Sequence, residues 1–319
     1  MCGENMTFNS MDYFVVLARE RSFTKAAEQL HITQQSLSSH IASLEEELGC
    51  KLFVRRVPLE LTYAGTVFLR YANEFQQRTN AMRQEFCDIT KNQKGVLRIG
   101  IAITRGRAIM PELIERFQGK YPNIVVELCE APNDVLHKNL LNGDIDLAVA
   151  NFPENLQGIE LREFYEEEVG LFLARDLAKT LYRDWWEYVI EDAVQGDLGG
   201  LESCLFVMGN SADIAANIGQ AVIRKANINP TVKVRSGNME TLLSLCVRGV
   251  GACFCPRNLA QATLSKEQME SLVFIPLGEQ GKYQIRFGYQ SRSYQWNIIA
   301  EFIEMALGNG DGDKEDGIK

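Results

Sequence analysis

Histidine is nearly missing, at three of 319 residues, and the eight cysteines (Cys2, Cys50, Cys87, Cys129, Cys204, Cys246, Cys253 and Cys255) are scattered. They show neither metal-ligand spacing nor histidine partners, which excludes the familiar zinc arrangements. There is no phosphate-binding glycine loop, no His-Glu-x-x-His and no nucleophile elbow. An enzyme would have to work with carboxylates, thiols or lysines that form no visible constellation, so no catalytic residue, metal or cofactor is expected. No apolar run reaches about 18 residues, so no membrane-spanning helix is expected. The first residues, MCGENMTFNSMDYF, lack a basic segment followed by an apolar core, so no secretory signal is expected and the cytoplasm is the expected location. In that reducing compartment most thiols act as small buried apolar groups. Cys253 and Cys255 lie in an apolar run that reads as a strand, where alternating side chains point to opposite faces.

Positive charge is also in deficit, with 33 Lys and Arg against 42 Asp and Glu, a net charge of -9. The deficit is not uniform. Residues 1–65 carry six basic against eight acidic side chains and residues 66–94 carry five against three, so the first 94 residues are neutral and the whole excess falls on the remaining 225. An acidic C-terminal body weakens nonspecific attraction to phosphate while leaving a near-neutral N-terminal part.

That N-terminal part contains SFTKAAEQLHITQQSLSSHIASLEEELG, Ser22 to Gly49. Ser22 can cap a first helix whose buried face is Phe23, Ala26, Ala27 and Leu30, and Ala27 is small enough to admit a second helix closely. His31 and Ile32 form the turn. Thr33 can cap the second helix, whose buried stripe is Leu37, Ile41, Leu44 and Leu48, and Gly49 stops it. The stripe leaves Gln34, Gln35, Ser36, Ser38 and Ser39 on the other faces, with donors and acceptors suited to base edges in a major groove. The pattern is that of a DNA-binding helix-turn-helix, with Ser22 and Thr33 on the same surface; a solvated helical hairpin is the plainer alternative.

Lys51 to Arg56 reads as a short strand, Pro58 as a turn and Leu59 to Leu61 as a returning strand. Such a wing places Arg55 and Arg56 against phosphate or a minor groove. At this point AAEQL, SLSSHIASLEEELGCKLFVRR and LTYAG together resemble the N-terminal signature of LysR-type transcriptional regulators, over about a fifth of the chain. The elements are Ala26-Ala27, Leu44 to Gly49, Leu52 to Arg55 and Leu61 to Gly65, and several in one order are far more specific than any one. The family often has a basic residue where Ser39 stands, which shifts affinity onto Arg55, Arg56, helix N-termini and dimerisation.

After Thr62, Ala64, Phe68, Tyr71, Phe75, Met82, Phe86 and Ile89 follow a heptad interrupted by Arg78. A helix of roughly 40 Å with such a stripe needs a partner along its length, or else a body of its own chain to pack on. The resemblance implies the former: a homodimer, a two-fold site on double-stranded promoter DNA and, from the resemblance alone, a tetramer.

From Gln93 strands and helices alternate. Val96 to Ile103, Ile124 to Cys129 and Ile145 to Ala150 read as strands, with helices at Ile109 to Gln118 and Val135 to Leu141, a βαβαβ unit with a parallel sheet. A second unit runs from Glu168 to about Tyr289, with strands at Val169 to Ala174, Cys204 to Met208, Thr231 to Arg235, Gly251 to Cys255 and Ile285 to Tyr289. The last helix, Trp296 to Leu307, is expected to return to the first unit. Two α/β lobes joined by crossings near Arg162 and Ser291 make a cleft, an arrangement similar to the family's effector domain and to type 2 periplasmic binding proteins.

The expected domains are a winged helix-turn-helix at 1–65, a linker helix at 66–92, lobe 1 at 93–163 with 292–308, lobe 2 at 164–291, and a disordered polar tail at 309–319. Ligands in such sheets sit beyond strand C-termini, where helix N-terminal N–H groups converge. That rule selects Thr104, Arg105, Asn151, Asn210, Ser211 and Asn238 for a small-molecule effector, and Arg105 can pair with an effector carboxylate. Helix capping or an interlobe contact is the plainer role for each. The reading is an effector-controlled transcriptional regulator and not an enzyme. The alternatives are a cytoplasmic ligand receptor or enzyme whose N-terminal helices serve assembly, and a thiol-based redox regulator acting through Cys204, Cys253 and Cys255.

Overall fold

The computed structural model describes residues 8–90, 94–154, 156–210, 213–291 and 294–312. Its contacts divide the chain into two units, one comprising Met1–Asn92 with Tyr294–Trp296, the other Gln93–Ser293 with Asn297–Lys319.

In the first unit, α1 (Phe8–Glu20), α2 (Phe23–Gln29) and α3 (Gln34–Glu47) precede a two-stranded wing of β1 (Phe53–Val54) and β2 (Glu60–Leu61), followed by α4 (Tyr63–Ile89). The three- and four-residue spacing has its expected consequence. Phe14 and Leu17 of α1, Ala26 and Ala27 of α2, and Leu37, Ile41 and Leu44 of α3 share one core with Leu52, Phe53 and Ala72. Burying these side chains supplies the stability that helices this short lack in isolation. Leu48 departs from the expected stripe. The helix ends at Glu47, so Leu48 is its C-cap and remains 38 % exposed. Gly49 leaves the helix at φ +67°, a conformation that glycine adopts at little cost.

The wing strands are two residues long, shorter than the sequence pattern suggests. They pair antiparallel, Phe53 with Leu61 and Val54 with Glu60. Strand pairing is short because the backbone of Leu52 turns to Glu45 and the carbonyl of Lys51 accepts from the Thr62 hydroxyl at 2.7 Å. Gly65 has a steric role: a Cβ there would collide with the carbonyl oxygen of Leu52, so α4 could not start so close to the wing. Phe68 of α4 packs edge-on against Phe14, with ring centroids 4.8 Å apart. The helix therefore begins at Tyr63, inside the head and ahead of the expected 65/66 boundary, and head and linker helix form one unit. Tyr294–Trp296, expected in lobe 1, group with this unit, where the Tyr294 hydroxyl bonds to Asp88 of α4.

The second unit begins with β3 (Gly95–Ile101), α5 (Ile103–Lys120), β4 (Ile124–Glu130), α6 (Asn133–Asn142) and β5 (Leu147–Ala150), in which β3 pairs parallel with both β4 and β5. Next comes β6 (Ile159–Ala174), sixteen residues long. It is followed by α7 (Arg175–Tyr182), α8 (Trp186–Val194), β7 (Leu205–Gly209), α9 (Ile214–Lys225), β8 (Thr231–Ser236) and α10 (Met239–Val247). The remainder is β9 (Cys253–Pro256), α11 (Arg257–Thr263), α12 (Lys266–Glu270), β10 (Leu272–Pro276), β11 (Lys282–Gln290) and α13 (Asn297–Gly312).

The main sheet runs β10-β6-β11-β5-β3-β4, with β9 also paired to β6, while β7 and β8 form a parallel pair. β6 and β11 pair antiparallel from Ile159–Gln290 to Glu168–Lys282, so both lobe crossings lie within strands. The expected boundary between residues 163 and 164 thus falls inside β6. Lobe 2 is built around Val169 to Ala174 of β6, flanked by β10 and β9, and its core extends to Phe206, Leu242 and Leu243. In lobe 1 Leu136, Leu140 and Ile145 pack with Phe152. α13 returns to this lobe as expected, with Phe302 edge-on to Phe117 of α5 at 5.3 Å. It stays helical through Gly312, so residues 309–312 of the expected tail are helix, and residues 313–319 lie outside the described residues. Among the described residues no helix is long and apolar enough to cross a membrane, and no cluster of three or more His, Cys, Asp or Glu could hold a metal ion.

Candidate DNA-reading and effector sites

Two hydroxyls fix the helix-turn-helix. The Ser22 hydroxyl accepts from the backbone N–H of Lys25 at 3.5 Å, and that of Thr33 from Ser36 at 3.1 Å. Both expected DNA contacts are therefore caps that set where α2 and α3 begin. Beyond the cap, Gln34, Gln35 and Ser39 are exposed, and Ser36 and Ser38 are half-buried. Arg55 lies over the Phe23 ring, 5.9 Å from its centroid, which holds the guanidinium beside α2. Arg56 is ion-paired with Glu60 across the wing.

Glu45 is a residue that the sequence pattern does not reveal. It is a carboxylate 3 % exposed on the inner face of α3. Its oxygens accept from Lys51 Nζ at 2.7 Å, from Leu52 N–H at 2.9 Å and from Phe53 N–H at 3.3 Å. Burial pushes its carboxyl up, but the Lys51 and backbone hydrogen bonds outweigh it and hold the group below its ordinary value. Glu45 thus ties α3 to the wing that carries Arg55 and Arg56.

In the effector domain β3 ends at Ile101 and α5 starts at Ile103, so the expected strand end at Ile103 is the first turn of a helix. Thr104 and Arg105 consequently sit at a helix N-terminus. Both line a cavity of about 300 Å³ between the lobes, together with Asn210, Asp213 and Tyr283. Asn133 at the start of α6, Gly237 and Met239 also line it.

Arg105 is not a free cation waiting for a ligand. Its Nε donates to Oε1 of Glu167 at 3.3 Å and its Nη2 to Oε2 at 3.1 Å, with both side chains buried. Glu167 also accepts from the Tyr165 hydroxyl at 3.1 Å, from Asn258 Nδ2 at 3.1 Å and from the Tyr283 hydroxyl. Burial drives the Glu167 carboxyl up, and the Arg105 charge with these hydrogen bonds more than offsets that, leaving it below the ordinary range. Burial lowers the pKa of Arg105, and the same pairing outweighs that and raises it. One donor is left over: Arg105 Nη1 is buried with no hydrogen-bond partner among the described residues.

The other expected ligand residues separate. Asn151 donates Nδ2 to the carbonyl of Gln284 at 3.1 Å and lines an adjoining concavity of about 400 Å³ with His137. Asn238 caps α10 through Thr241 N–H at 2.9 Å and is not in the cavity wall, although its neighbours Gly237 and Met239 are. Ser211 lies outside the described residues. Asp213 and Tyr283 were not expected. Asp213 caps α9 through Ala215 N–H at 3.0 Å, and its carboxyl is pushed up by burial and by Glu167.

Cys204, Cys246, Cys253 and Cys255 are all buried. Burial raises Cys204 to about 12, and Cys253 and Cys255 are also held well above the ordinary thiol value. At neutral pH these three groups are thiols, the unreactive form.

A winged helix-turn-helix head and a two-lobe α/β domain with an interlobe cavity define a DNA-binding regulator with a built-in ligand sensor. Known proteins place it more closely. Residues 8–66 match the bacterial regulatory helix-turn-helix protein, lysR family, and residues 90–310 match the LysR substrate binding domain. The chain is 28 % identical over 316 residues to the uncharacterized HTH-type transcriptional regulator YcgK of Bacillus subtilis (strain 168), covering 94 % of each. It is 30 % identical over 269 residues to the uncharacterized HTH-type transcriptional regulator YybE of the same organism, covering 82 % of this chain and 87 % of that one. In fold it is similar to full-length CbnR complexed with its target DNA (TM-score 0.61, 21 % identity, 94 % of this chain and 99 % of that one). It is similar also to a full-length OxyR variant from Pseudomonas aeruginosa with one cysteine replaced by aspartate (TM-score 0.70, 20 % identity, 96 % of this chain and 95 % of that one). The chain belongs to the LysR family. It is a DNA-binding transcriptional regulator with an effector-binding domain.

Proposed function

We propose that Gln34, Gln35, Ser36, Ser38 and Ser39 face base edges in the major groove of promoter DNA while Arg55 and Arg56 hold the adjoining phosphates or minor groove. The observation that carries this reading is the polar face of α3, uncharged and exposed at Gln34, Gln35 and Ser39, with Arg55 held beside α2 over Phe23. Arg56 has to exchange Glu60 for a phosphate, an exchange between exposed groups that costs little.

Two heads act together through α4. Tyr71, Met82, Phe86 and Ile89 are exposed along that helix, and a second copy of the helix would cover them. A homodimer, paired further into a tetramer, then reads a two-fold site, and the protein works in the cytoplasm as a regulator with no chemistry of its own. The effector occupies the interlobe cavity lined by Thr104, Arg105 and Asn210, where binding shifts the lobe arrangement and with it the DNA-bound assembly. Its anionic group meets the spare Nη1 of Arg105 and the N–H groups that open α5, whose N-cap Ala102 makes no side-chain hydrogen bond to them.

A nuclease footprint on the DNA beside the protein's own gene tests this. Two protected half-sites a whole number of helical turns apart support the reading; no protection at any position rejects it.

A further inference from the structure

The walls of the interlobe cavity are made largely of the opening residues of three helices: Ile103 and Thr104 of α5, Pro132 and Asn133 at α6, and Asp213 and Ile214 at α9. Helix N-termini favour negative charge, but here they are accompanied by groups that ask for the opposite. Two residues of the cavity wall each hold a polar atom that is buried without a hydrogen-bond partner among the described residues, Nη1 of Arg105 and Oδ1 of Asn133. One is a donor on a side chain 5 % exposed and the other is an acceptor. Asp213 adds a carboxylate, whose Oδ1 is engaged by Ala215 N–H.

A simple carboxylate would satisfy Arg105 and the helix N-termini, but it would leave Asn133 Oδ1 unpaired and bring a second anion up to Asp213. The charges are also informative. Arg105 is already neutralised by Glu167, so the side chains of the site sum to one negative charge, that of Asp213. A ligand bearing only negative charge meets a site that is not positive, and one bearing only positive charge faces helix N-termini.

We propose that the effector is a small zwitterion of the α-amino-acid class, its carboxylate on Arg105 Nη1 and the N-terminus of α5 and its ammonium on Asp213 and Asn133 Oδ1. The proposal rests on the interlobe reading above and narrows it to one chemical class. A cavity of about 300 Å³ stands at the lower end of small-molecule sites, a size suited to an amino acid. The adjoining concavity, which shares Asn133 and Ile214 with it, gives the ligand's side chain an outlet towards His137. Burial holds the Asp213 carboxyl above its ordinary value, and a bound ammonium relieves that cost.

The test uses full-length protein and matched pairs of probes across the common amino acids, each set against the acid that lacks only the amine: alanine against propionate, valine against isovalerate, glutamate against glutarate. Melting-temperature shifts find the binder and calorimetry measures it. The expected result is at least one amino acid that binds about tenfold or more tightly than its matched acid. Asp213→Asn keeps the capping oxygen, its ligand-free melting temperature serves as the folding check, and it should bind that amino acid about tenfold or more weakly. Equal binding of amino acid and matched acid to the wild-type protein, or undiminished binding to Asp213→Asn, overturns the zwitterion while leaving an anionic interlobe effector in place. Binding of no member of either series overturns both.

Discussion

Arg105 and Glu167 meet in a buried two-point ion pair, Nε to Oε1 at 3.3 Å and Nη2 to Oε2 at 3.1 Å, although 62 positions separate them in the chain. Arg105 belongs to α5 of lobe 1 and Glu167 to β6, the strand that crosses between lobes, while Asn258 of α11 reaches the same carboxylate from lobe 2. Glu167→Ala leaves Arg105 buried without its counter-charge and should destabilise the effector domain by about 3–5 kcal/mol, whereas breaking an exposed pair such as Lys120–Glu301 should matter far less. Chemical denaturation of Glu167→Ala and Glu301→Ala measures the contrast.

Glu45 and Glu167 are both held below the ordinary carboxylate value of 4.5 in the folded protein. The unfolded chain therefore takes up these protons first, so their stabilisation is complete above that value and is lost as pH falls through the folded values. Asp213, raised above 3.8, works in the opposite direction. Melting temperature should drop as pH falls below 4.5, and Glu167→Gln should show a shallower drop than wild type because one of the responsible groups is gone.

Replacing Glu45 tests how the wing is held. Glu45→Ala strips the acceptor from the N–H groups of Leu52 and Phe53 and should cost the head about 1–3 kcal/mol. DNA affinity should fall as well, although Glu45 is buried, because Arg55 and Arg56 lose their fixed position. Anisotropy beside thermal unfolding separates a loosened wing from an unfolded head: the former lowers affinity at temperatures where circular dichroism is unchanged.

The head was legible because its information is local. Ser22, Thr33 and Thr62 each cap the helix expected from the spacing of apolar residues behind them. Leu48 misled because the apolar spacing continues in sequence after the helix it describes has stopped. Glu45 was hidden because two of its partners are backbone N–H groups, which leave no mark on the sequence. In the effector domain the rule that ligands lie beyond strand ends selects three residues that line the interlobe cavity, Thr104, Arg105 and Asn210. It could not find Glu167 or Tyr283, which lie within β6 and β11, nor Asp213, whose place depends on how α9 meets lobe 1. The first half of β6 was missed because it carries Glu160, Arg162, Glu163 and Glu166, charges that break the apolar alternation by which a strand is recognised.

Cysteine chemistry offers a clean discrimination. Native protein should react with a thiol reagent at exposed Cys50, while Cys204, Cys246, Cys253 and Cys255 react only on unfolding. Replacing Cys204, Cys253 and Cys255 with Ser, provided the protein folds, should leave DNA binding under peroxide unchanged. A peroxide response abolished by those substitutions would point to a redox regulator.

The exposed stripe of α4 predicts its own disruption. Phe86 is 59 % exposed and Ile89 68 % exposed in the single chain, so Phe86→Asp costs the isolated fold little. It should shift sedimentation from dimer or tetramer towards monomer, and with it abolish tight binding to a two-fold site while each head stays folded.

In the proposed complex the face of α3 reads sequence and the wing holds the DNA backbone. The most direct measurement is fluorescence anisotropy on the DNA beside the protein's own gene and on a scrambled duplex, across salt concentrations, for wild type, Gln34→Ala and Arg55→Ala. Gln34→Ala should lose about 1–3 kcal/mol of discrimination between the two duplexes with little change in salt slope. Arg55→Ala should weaken binding to both duplexes alike and reduce the salt slope by about one for each head. Unchanged discrimination in Gln34→Ala together with an unchanged slope in Arg55→Ala would remove both α3 and the wing from the DNA interface.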